Sequence, residues 1–201
     1  MPASSEFSTR NSNAYDRLKR ENQALREELL HLRQTIQALN RLRHSLKVGS
    51  PRADIFSLLN SILEIALKAV DSENGSLQLL DEETGELVFA EVQGPSREKL
   101  TGYRLPPGAG IAGWVAQNRS PRLVTDVSQE PRFSPQVDQT LGFQTDSLIC
   151  APLLDGERTL GVIEAVNTRS GASFRAEDLD ILLLVAQLAA LALSRADGQG
   201  E

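Results

Sequence analysis

Leucine recurs at every seventh position from residue 18 to residue 46. A strict seven-residue period places apolar side chains on one continuous stripe when helices supercoil around each other. With the leucines at heptad position d, the a positions are mostly apolar as well. Segment 15–48 is therefore predicted to be a coiled coil. The residues predicted to form its interface are Leu18, Asn22, Leu25, Leu29, Leu32, Ile36, Leu39 and Leu46.

Charged and polar residues within the repeat favour two parallel helices. Glu21 and Glu28 occupy g positions, and a parallel partner would present Arg26 and Arg33 to them from its e positions. Asn22 lies at an a position, where it can pair with its twin across a parallel dimer. In most other registers it would be buried without a partner. The predicted assembly is thus a parallel homodimer.

Two other interpretations of this segment stay open. An isolated amphipathic helix could pack on the chain's own domain, although the persistence of the heptads favours the coiled coil. Arg17, Lys19 and Arg20 before a leucine repeat also resemble a bZIP region, which needs a long basic helix upstream of the zipper. Only Arg10 is basic among the residues before them, and the net charge of the chain is -6. We therefore predict no binding to nucleic acid.

Length and composition bound the remaining possibilities. The 201 residues, 40% of them hydrophobic, suffice for one globular core plus an extension. Segment 1–14 lacks the basic and apolar regions of a signal peptide, and the longest apolar stretch, 181–193, is shorter than the ~18 residues needed to span a bilayer. A lone cysteine cannot form an intramolecular disulfide. These features predict a cytoplasmic protein that does not enter a membrane, with disordered tails at 1–14 and 196–201.

The chain from residue 51 to residue 195 is predicted to form one α+β domain. Apolar residues at helical spacing alternate with strand pairs that flank short polar connections, which is typical of antiparallel hairpins. The predicted fold is an antiparallel sheet flanked by helices and preceded by the long coiled-coil helix. The predicted elements are helices over 52–70, 108–117 and 176–195 and strands over 75–80, 86–93, 121–127, 146–154 and 159–167.

A series of short motifs runs through this domain. They are Gly108-Ala109-Gly110-Ile111-Ala112-Gly113-Trp114, Pro121, Asp126-Val127, Pro131-Arg132-Phe133, Asp138, Gly142-Phe143, Thr145, Ser147-Leu148-Ile149-Cys150-Ala151-Pro152-Leu153 and Gly161-Val162-Ile163-Glu164-Ala165-Val166-Asn167. The series resembles the ordered landmarks of the GAF domain family over approximately residues 51–195. Its specificity comes from the order of the motifs, because Gly-x-Gly alone is weak evidence.

The resemblance implies a sensory or regulatory fold in which the sheet and its overlying loops enclose a small-molecule pocket in many members. The terminal helices of such domains often form a dimer interface. The predicted function is therefore that of a non-catalytic homodimeric sensor, which binds a small molecule and signals through an unidentified partner protein. Gly49 and Pro51 predict a short hinge between the domain and the coiled coil. An adaptor or dimerisation scaffold without a small-molecule ligand is the alternative, and the arrangement resembles that of bacterial signalling proteins.

Five residues are predicted by this likeness to contact a ligand, namely Trp114, Phe133, Asp138, Thr145 and Glu164. Each also has a purely structural interpretation. Trp114 is equally typical of core packing, Asp138 of a turn or cap, and Glu164 of the solvent-facing side of an alternating strand.

A cyclic nucleotide is the less favoured ligand. GAF domains that bind cyclic nucleotides carry Asn-Lys, then Phe, then Asp-Glu after three further residues. This chain has Asn167-Thr168, then Phe174, and Glu177-Asp178 after only two further residues. The lysine and the charge pair that it would make are missing.

The residues available for chemistry predict neither an enzyme nor a metal or cofactor site. Cys150 lies in a predicted strand, where a small buried apolar role is favoured over a redox sensor. The methionine sulfoxide reductases of this family use several cysteines, and its bilin-attaching members commonly have His after the cysteine, where this chain has Ala151. His31 and His44 fall at outward heptad positions, so the domain itself offers no histidine to zinc or haem.

Overall fold

The structure, a computed structural model, describes residues 17–20, 22–23, 54–133, 138 and 143–197. Residues 17–20 and 22–23 are helical, and Leu18 is 64% exposed. The rest of the predicted coiled coil and the predicted hinge lie outside the described residues, as does the segment 1–14. The parallel homodimer therefore stays a prediction.

Helices and strands of the domain follow the predicted order. Within the described residues the sheet order is β3-β2-β1-β6-β5-β4, and every neighbouring pair of strands is antiparallel. Both predicted hairpins, β1 with β2 and β5 with β6, are confirmed. The elements are α1 (Asp54–Ala69), β1 (Ser72–Leu80), β2 (Leu87–Gln93), α2 (Arg97–Leu100), β3 (Arg104–Leu105), α3 (Gly110–Asn118), β4 (Arg122–Val124), β5 (Leu148–Asp155), β6 (Arg158–Thr168) and α4 (Ala176–Asp197).

Several predicted boundaries were wrong, among them the start of β1, which lies at Ser72 and not at residue 75. The strand predicted over 121–127 ends at Val124, because Asp126 turns the chain into a short 3₁₀ helix. Its Oδ1 accepts a hydrogen bond from the backbone N–H of Ser128 at 2.9 Å, which is the capping role that short polar side chains favour. Helix α4 also continues two residues beyond the predicted end at 195, to Asp197.

One face of the sheet is covered by α1 and α4 and is filled with aliphatic side chains. Leu77, Ile149, Leu153 and Ile163 point to this side and are all 0% exposed. Burying each such side chain contributes roughly 1.5–3 kcal/mol to folding. This apolar layer is therefore the main source of the domain's stability. No helix among the described residues is both long and apolar enough to cross a bilayer.

The opposite face of the sheet is covered in part by α3, which packs on β5 and β6. The glycines before and within α3 allow this close packing. Gly108 has φ +74°, a left-handed conformation that favours glycine. A Cβ atom at Gly113 would lie 2.5 Å from the carbonyl carbon of Gly108, so no larger residue fits there without a shift of the backbone. The beginning of α3 is thereby held beside the sheet.

Candidate ligand-binding cavity

A cavity of about 530 Å³ lies on the α3 side of the sheet. Side chains of β1, β2 and β6 line it, together with residues of α2, the start of α3 and the segment leading into β5. Its volume falls within the range of ~300–1,000 Å³ that is typical of small-molecule sites. The cavity is thus large enough for a small organic ligand.

One row of paired residues crosses the sheet beneath the cavity, and its members Val92, Ser76 and Glu164 line the cavity. Ser76 on β1 pairs with Val92 on β2 and with Glu164 on β6, and Glu164 pairs with Cys150 on β5. Cys150 in turn pairs with Arg122 on β4. Directly paired residues point to the same face of a sheet. Glu164 therefore lies at the centre of the row, with a hydroxyl on one side and a thiol on the other.

The Glu164 carboxyl group is the most perturbed acid of the cavity. Burial raises its pKa to about 7, and the nearby negative charge of Asp138 contributes to the rise. None of the described residues donates a hydrogen bond to the Glu164 carboxyl group. An acid that lacks protein donors in a partly desolvated site can exchange a proton or accept hydrogen bonds from a ligand near neutral pH.

Asp138 is held in place by Thr145. The backbone N–H and the hydroxyl of Thr145 donate hydrogen bonds to the two carboxylate oxygens of Asp138, at 2.7 Å and 2.9 Å. The backbone N–H of Phe143 also donates to the Asp138 carbonyl oxygen at 3.0 Å. Asp138 is therefore an anchored carboxylate at the cavity wall, which fits the turn or cap role as well as the ligand role.

Gln78 is a polar residue of the cavity that the sequence analysis missed. It is 1% exposed, and its Nε2 donates a hydrogen bond to Ser76 Oγ at 3.0 Å. Its Oε1 is buried and has no hydrogen-bond partner among the residues that the structure describes. Leaving a buried polar atom unpaired costs free energy, so such atoms often mark functional sites. The signal in the sequence was the polar pair Ser76 and Gln78 at alternate positions of a central strand, which is also the pattern of a solvent-facing edge.

Aromatic rings form the apolar part of the wall. Phe89 and Tyr103 meet edge to face, with ring centroids 6.2 Å apart and an angle of 61° between the ring planes. Phe133 and Phe143 also line the cavity. Rings arranged in this way offer flat apolar surface to a ligand while a few polar groups fix its orientation.

The structure brings four of the five predicted ligand contacts together. Phe133, Asp138, Thr145 and Glu164 all line the cavity. Glu164 therefore faces the cavity, whereas the sequence pattern alone also allowed a solvent-facing position.

Trp114, the fifth predicted contact, does not line the cavity. The guanidinium groups of Arg122 and Arg132 lie 4.9 Å and 5.2 Å from the centroid of its ring. Glu130 accepts hydrogen bonds from both arginines, at 2.8 Å and 3.2 Å. Burial opposes ionisation of Glu130, but the hydrogen bonds from Arg122 and Arg132 outweigh it and lower its pKa. This placement gives Trp114 a packing role in a cation–π cluster.

Remnants of the cyclic nucleotide motif are used inside the fold. Asn167 Oδ1 accepts hydrogen bonds from the backbone N–H groups of Asp146 and Ser147, at 2.8 Å and 3.2 Å. Phe174 is 1% exposed and belongs to the apolar core. Asp178 Oδ2 accepts from the backbone N–H of Arg175 at 2.8 Å, at the start of α4. These side chains join segments of the chain to each other.

Cys150 is enclosed by the core beneath the cavity. It is 0% exposed, and burial together with the charge of Glu164 raises the pKa of its thiol well above the ordinary value. A thiol with a raised pKa carries little reactive thiolate at neutral pH. This environment matches the apolar packing role that the sequence favoured. Across the described part of the chain, no cluster of three or more His, Cys, Asp or Glu residues could hold a metal ion.

Comparison with known proteins identifies the family. The GAF domain family profile matches residues 54–193. A dual 3',5'-cyclic-AMP and -GMP phosphodiesterase 11A from Takifugu rubripes is 35% identical over 96 residues, which is 46% of this chain. The chain spans only 10% of the length of that relative.

Solved structures share the fold at low sequence identity. The GAF domain of a phosphoenolpyruvate-protein phosphotransferase from Coxiella burnetii aligns with a TM-score of 0.71 at 20% identity, over 83% of this chain and 96% of that one. A free methionine-R-sulfoxide reductase from Neisseria meningitidis, in complex with its substrate, aligns with a TM-score of 0.67 at 22% identity, over 82% and 91%. The family match, the sheet order and the cavity agree, and the chain belongs to the GAF domain family of signalling and sensor modules.

Proposed function

We propose that this protein is a cytoplasmic homodimeric sensor that binds a small molecule in the cavity and signals through a partner protein. The observation that carries the proposal is a cavity of about 530 Å³ in which the Glu164 carboxyl group and Gln78 Oε1 receive no hydrogen bond from the described residues. Ligand binding is stabilised when the ligand supplies hydrogen-bond partners to polar groups of this kind. Binding is therefore favoured over a purely structural role for this face of the sheet.

The proposed role is binding without chemistry. Cys150, the one strong nucleophile of the domain, lies outside the cavity wall and is fully buried. Its raised pKa keeps the thiol protonated, so it is a poor nucleophile. A cavity whose acids face a ligand and whose thiol does not is suited to recognition.

The ligand is proposed to be other than a cyclic nucleotide, although one relative is named as a cyclic nucleotide phosphodiesterase. The phosphate of such a ligand would enter a cavity that contains two carboxyl groups, Asp138 and Glu164, and like charges repel. The side chains of Asn167 and Asp178 also accept hydrogen bonds from backbone N–H groups. A small molecule of different charge suits this cavity better.

The strands provide a route from the cavity to the helices. Ser76 and Glu164 line the cavity, while Leu77 and Ile163 at the adjacent positions pack on the opposite side. A ligand that shifts β1 and β6 would therefore shift the surface on which α1 and α4 lie. Packed interfaces of this kind change between discrete arrangements. We propose that the predicted hinge at 49–51 passes this change to the predicted coiled coil.

Native mass spectrometry of gently purified full-length protein tests the sensor. We expect a dimer mass plus a small adduct that disappears on denaturation. Ala109→Trp places a large side chain at the cavity and should remove the adduct, whereas Ala172→Trp, in an exposed loop outside the cavity, should keep it. An adduct that persists in Ala109→Trp would contradict binding in this cavity. A monomer at micromolar concentration would contradict the homodimer.

The adaptor is the second candidate, and exposed leucines on α4 favour it. Leu184 and Leu191 are 47% and 44% exposed and lie seven residues apart, on one side of the helix. Exposed apolar surface of this kind suits a docking contact. A bare dimer mass, together with loss of partner-dependent output in Leu184→Asp but retention in Ala109→Trp, would favour the adaptor over the sensor.

A further inference from the structure

The unfilled hydrogen-bonding capacity of the cavity indicates what its occupant must supply. We propose that the ligand, whose existence rests on the function proposed above, carries a cationic amine or amidine head group that binds at Glu164 and Asp138. The head group is attached to a flat apolar body that packs against the aromatic wall. This inference names the chemical class of the ligand from the side chains that face it.

The charges of the cavity favour a cation. Asp138 and Glu164 both line it, and the cationic side chain among its described lining residues is Lys99, which is exposed on α2. An anion placed at the sheet would lie close to two acids and away from bulk water. Coulomb interactions are stronger in such a partly desolvated site than in water. The same geometry attracts a positive head group.

The unpaired polar atoms of the cavity floor are acceptors. The Glu164 carboxyl group receives no hydrogen bond from the described residues, and Gln78 Oε1 is buried without a donor. Each Asp138 oxygen accepts one hydrogen bond from Thr145, which leaves a lone pair on each. These acceptors at Glu164, Gln78 and Asp138 can therefore take further donors from a ligand. Ammonium and amidinium groups present several N–H donors and no acceptor, so they match this need.

Aromatic rings of the cavity set the shape of the ligand body. The rings of Phe89 and Tyr103 meet edge to face, with Phe89 paired to Gln78 on the sheet, and Phe133 and Phe143 also line the cavity. A planar ring system gains both burial and ring contacts against such a wall. The ligand is thus expected to combine an aromatic or similarly flat body with one basic nitrogen head.

Proton release gives the proposal a signature of its own. A bound cation favours the ionised form of Glu164, so binding should release a proton from that group, whose pKa in the free protein is raised to about 7. Asp138, Lys99 and Tyr103 also face the cavity, and Cys150 lies beneath Glu164. Affinity for a cation should therefore rise about tenfold between about pH 6 and pH 8 and then level off.

Three probes that share one ring system test the head group, namely naphthamidine, naphthamide and naphthoate. They are cationic, neutral and anionic, and each is titrated into the full-length protein while amide resonances of cavity residues are followed by NMR. We expect naphthamidine to bind at least about tenfold more tightly than naphthoate, as a single favourable ion pair of this kind allows. The affinity of naphthamidine should rise with pH as described, and that of naphthamide should not.

Glu164→Gln and Glu157→Gln form the matched pair of variants. Glu157 is exposed in the turn between β5 and β6 and does not line the cavity. Glu164→Gln should remove the preference for naphthamidine and its pH dependence, while Glu157→Gln should keep both. The thermal unfolding midpoint and the affinity for naphthamide check that the cavity of Glu164→Gln is intact.

The outcomes separate this inference from the sensor proposal. Naphthoate binding as tightly as naphthamidine, or equal naphthamidine affinity in wild type and Glu164→Gln, overturns the cationic head group and leaves cavity binding standing. If no probe shifts a cavity resonance, the cationic head group on a flat body is overturned, while the small adduct expected in native mass spectrometry still decides on ligand binding in the cavity.

Discussion

The two faces of the central sheet differ in what they bury, although the same strands build both. On β6, Ile163 and Ala165 face α1 and α4 and are 0% exposed, whereas Glu164 between them faces the cavity. On β1, Leu77 enters the apolar layer, while Ser76 and Gln78 on either side of it line the cavity. Because successive side chains of a strand point to opposite faces, alternate residues contribute to the apolar core and to the cavity.

This division explains how the domain can tolerate polar groups that lack partners. The helical face is closely packed, and removal of a side chain there costs free energy because the neighbours relax only partly. The cavity face contains Gln78 Oε1, a buried polar atom without a hydrogen-bond partner among the described residues, and the half-buried Glu164 carboxyl group, to which no described residue donates. Such departures are expected at functional sites, where the rest of the fold compensates for them. The following predictions test whether the two faces differ in this way.

The largest effect is expected from truncating the helical face. Ile163→Ala should lower the free energy of unfolding by about 2–5 kcal/mol, because it opens a cavity among fully buried neighbours. Val166→Ala lies on the same strand but lines the cavity, so it should cost only about 1 kcal/mol. Urea unfolding followed by circular dichroism measures both. Equal losses would contradict the contrast between the faces.

The second prediction concerns pH and the cavity face. The pKa of Glu164 is raised to about 7 in the folded protein, so the folded state binds more protons than the unfolded state from mildly acidic pH up to that value. Stability relative to Glu164→Gln should therefore fall by about 2 kcal/mol between about pH 5 and pH 8. Unfolding free energies at both pH values, with Glu157→Gln as the exposed control, measure the difference. If the difference in unfolding free energy between wild type and Glu164→Gln stayed constant across this pH range, a raised pKa of Glu164 would be contradicted.

The sequence predicted the framework of both faces. Apolar spacing and the polar connections at Asp81–Gly85 and around Gly156 specify the helices and hairpins, because these signals are local. Four of the five candidate ligand contacts also line the cavity. Local pattern and the order of the family's motifs were sufficient for these parts.

The alternation of polar and apolar residues along a strand does not predict which segments cover each face of the sheet. Ser76 and Gln78 alternate with Leu77 in the same way whether their side faces solvent or a cavity, because the covering segments are distant in sequence. Asn167 shows the same difficulty, since its Nδ2 donates to the carbonyl oxygen of Gln144 at 2.8 Å, across the end of the sheet. Its role depends on a contact between residues that no local pattern connects. Most of the predicted coiled coil lies outside the described residues, so the coiled coil stays a prediction.

A smaller effect is expected when the second acid of the cavity is neutralised. Asp138→Asn keeps an oxygen to accept from Thr145 but removes the charge that helps to raise the pKa of Glu164. The pKa of Glu164 should fall and yet stay above its ordinary value, because burial is the larger cause. Carbon-detected NMR titration of the glutamate carboxyl groups measures it. Asp126→Asn, at the 3₁₀ helix outside the cavity, is the control, and an unchanged Glu164 pKa in Asp138→Asn would show that the two acids do not interact.

The smallest effect is expected at Trp114, which lies outside the cavity and tests where the binding face ends. Arg132→Gln removes one of the two guanidinium groups over the indole ring and an ion pair with Glu130 of 3.2 Å. Arg169→Gln removes an ion pair of 3.3 Å with Glu73, and the two arginine side chains are nearly equally exposed, 47% and 46%. The acceptors differ, because the Glu130 side chain is 8% exposed and the Glu73 side chain is 68% exposed. Arg132→Gln therefore loses a ring contact and an ion pair with a largely buried carboxylate, whereas Arg169→Gln loses an exposed ion pair.

Arg132→Gln should therefore lower the free energy of unfolding by at least about 0.5–1 kcal/mol more than Arg169→Gln does, because it loses a cation–π contact of about that size and the less exposed of the two ion pairs. Both variants should bind naphthamidine with the affinity of the wild type, because neither arginine lines the cavity. Chemical unfolding and the NMR titration measure the two quantities on the same samples. A loss of naphthamidine affinity in Arg132→Gln alone would extend the binding face to Trp114. The sequence-based prediction of Trp114 as a ligand contact would then be supported, although Trp114 does not line the cavity.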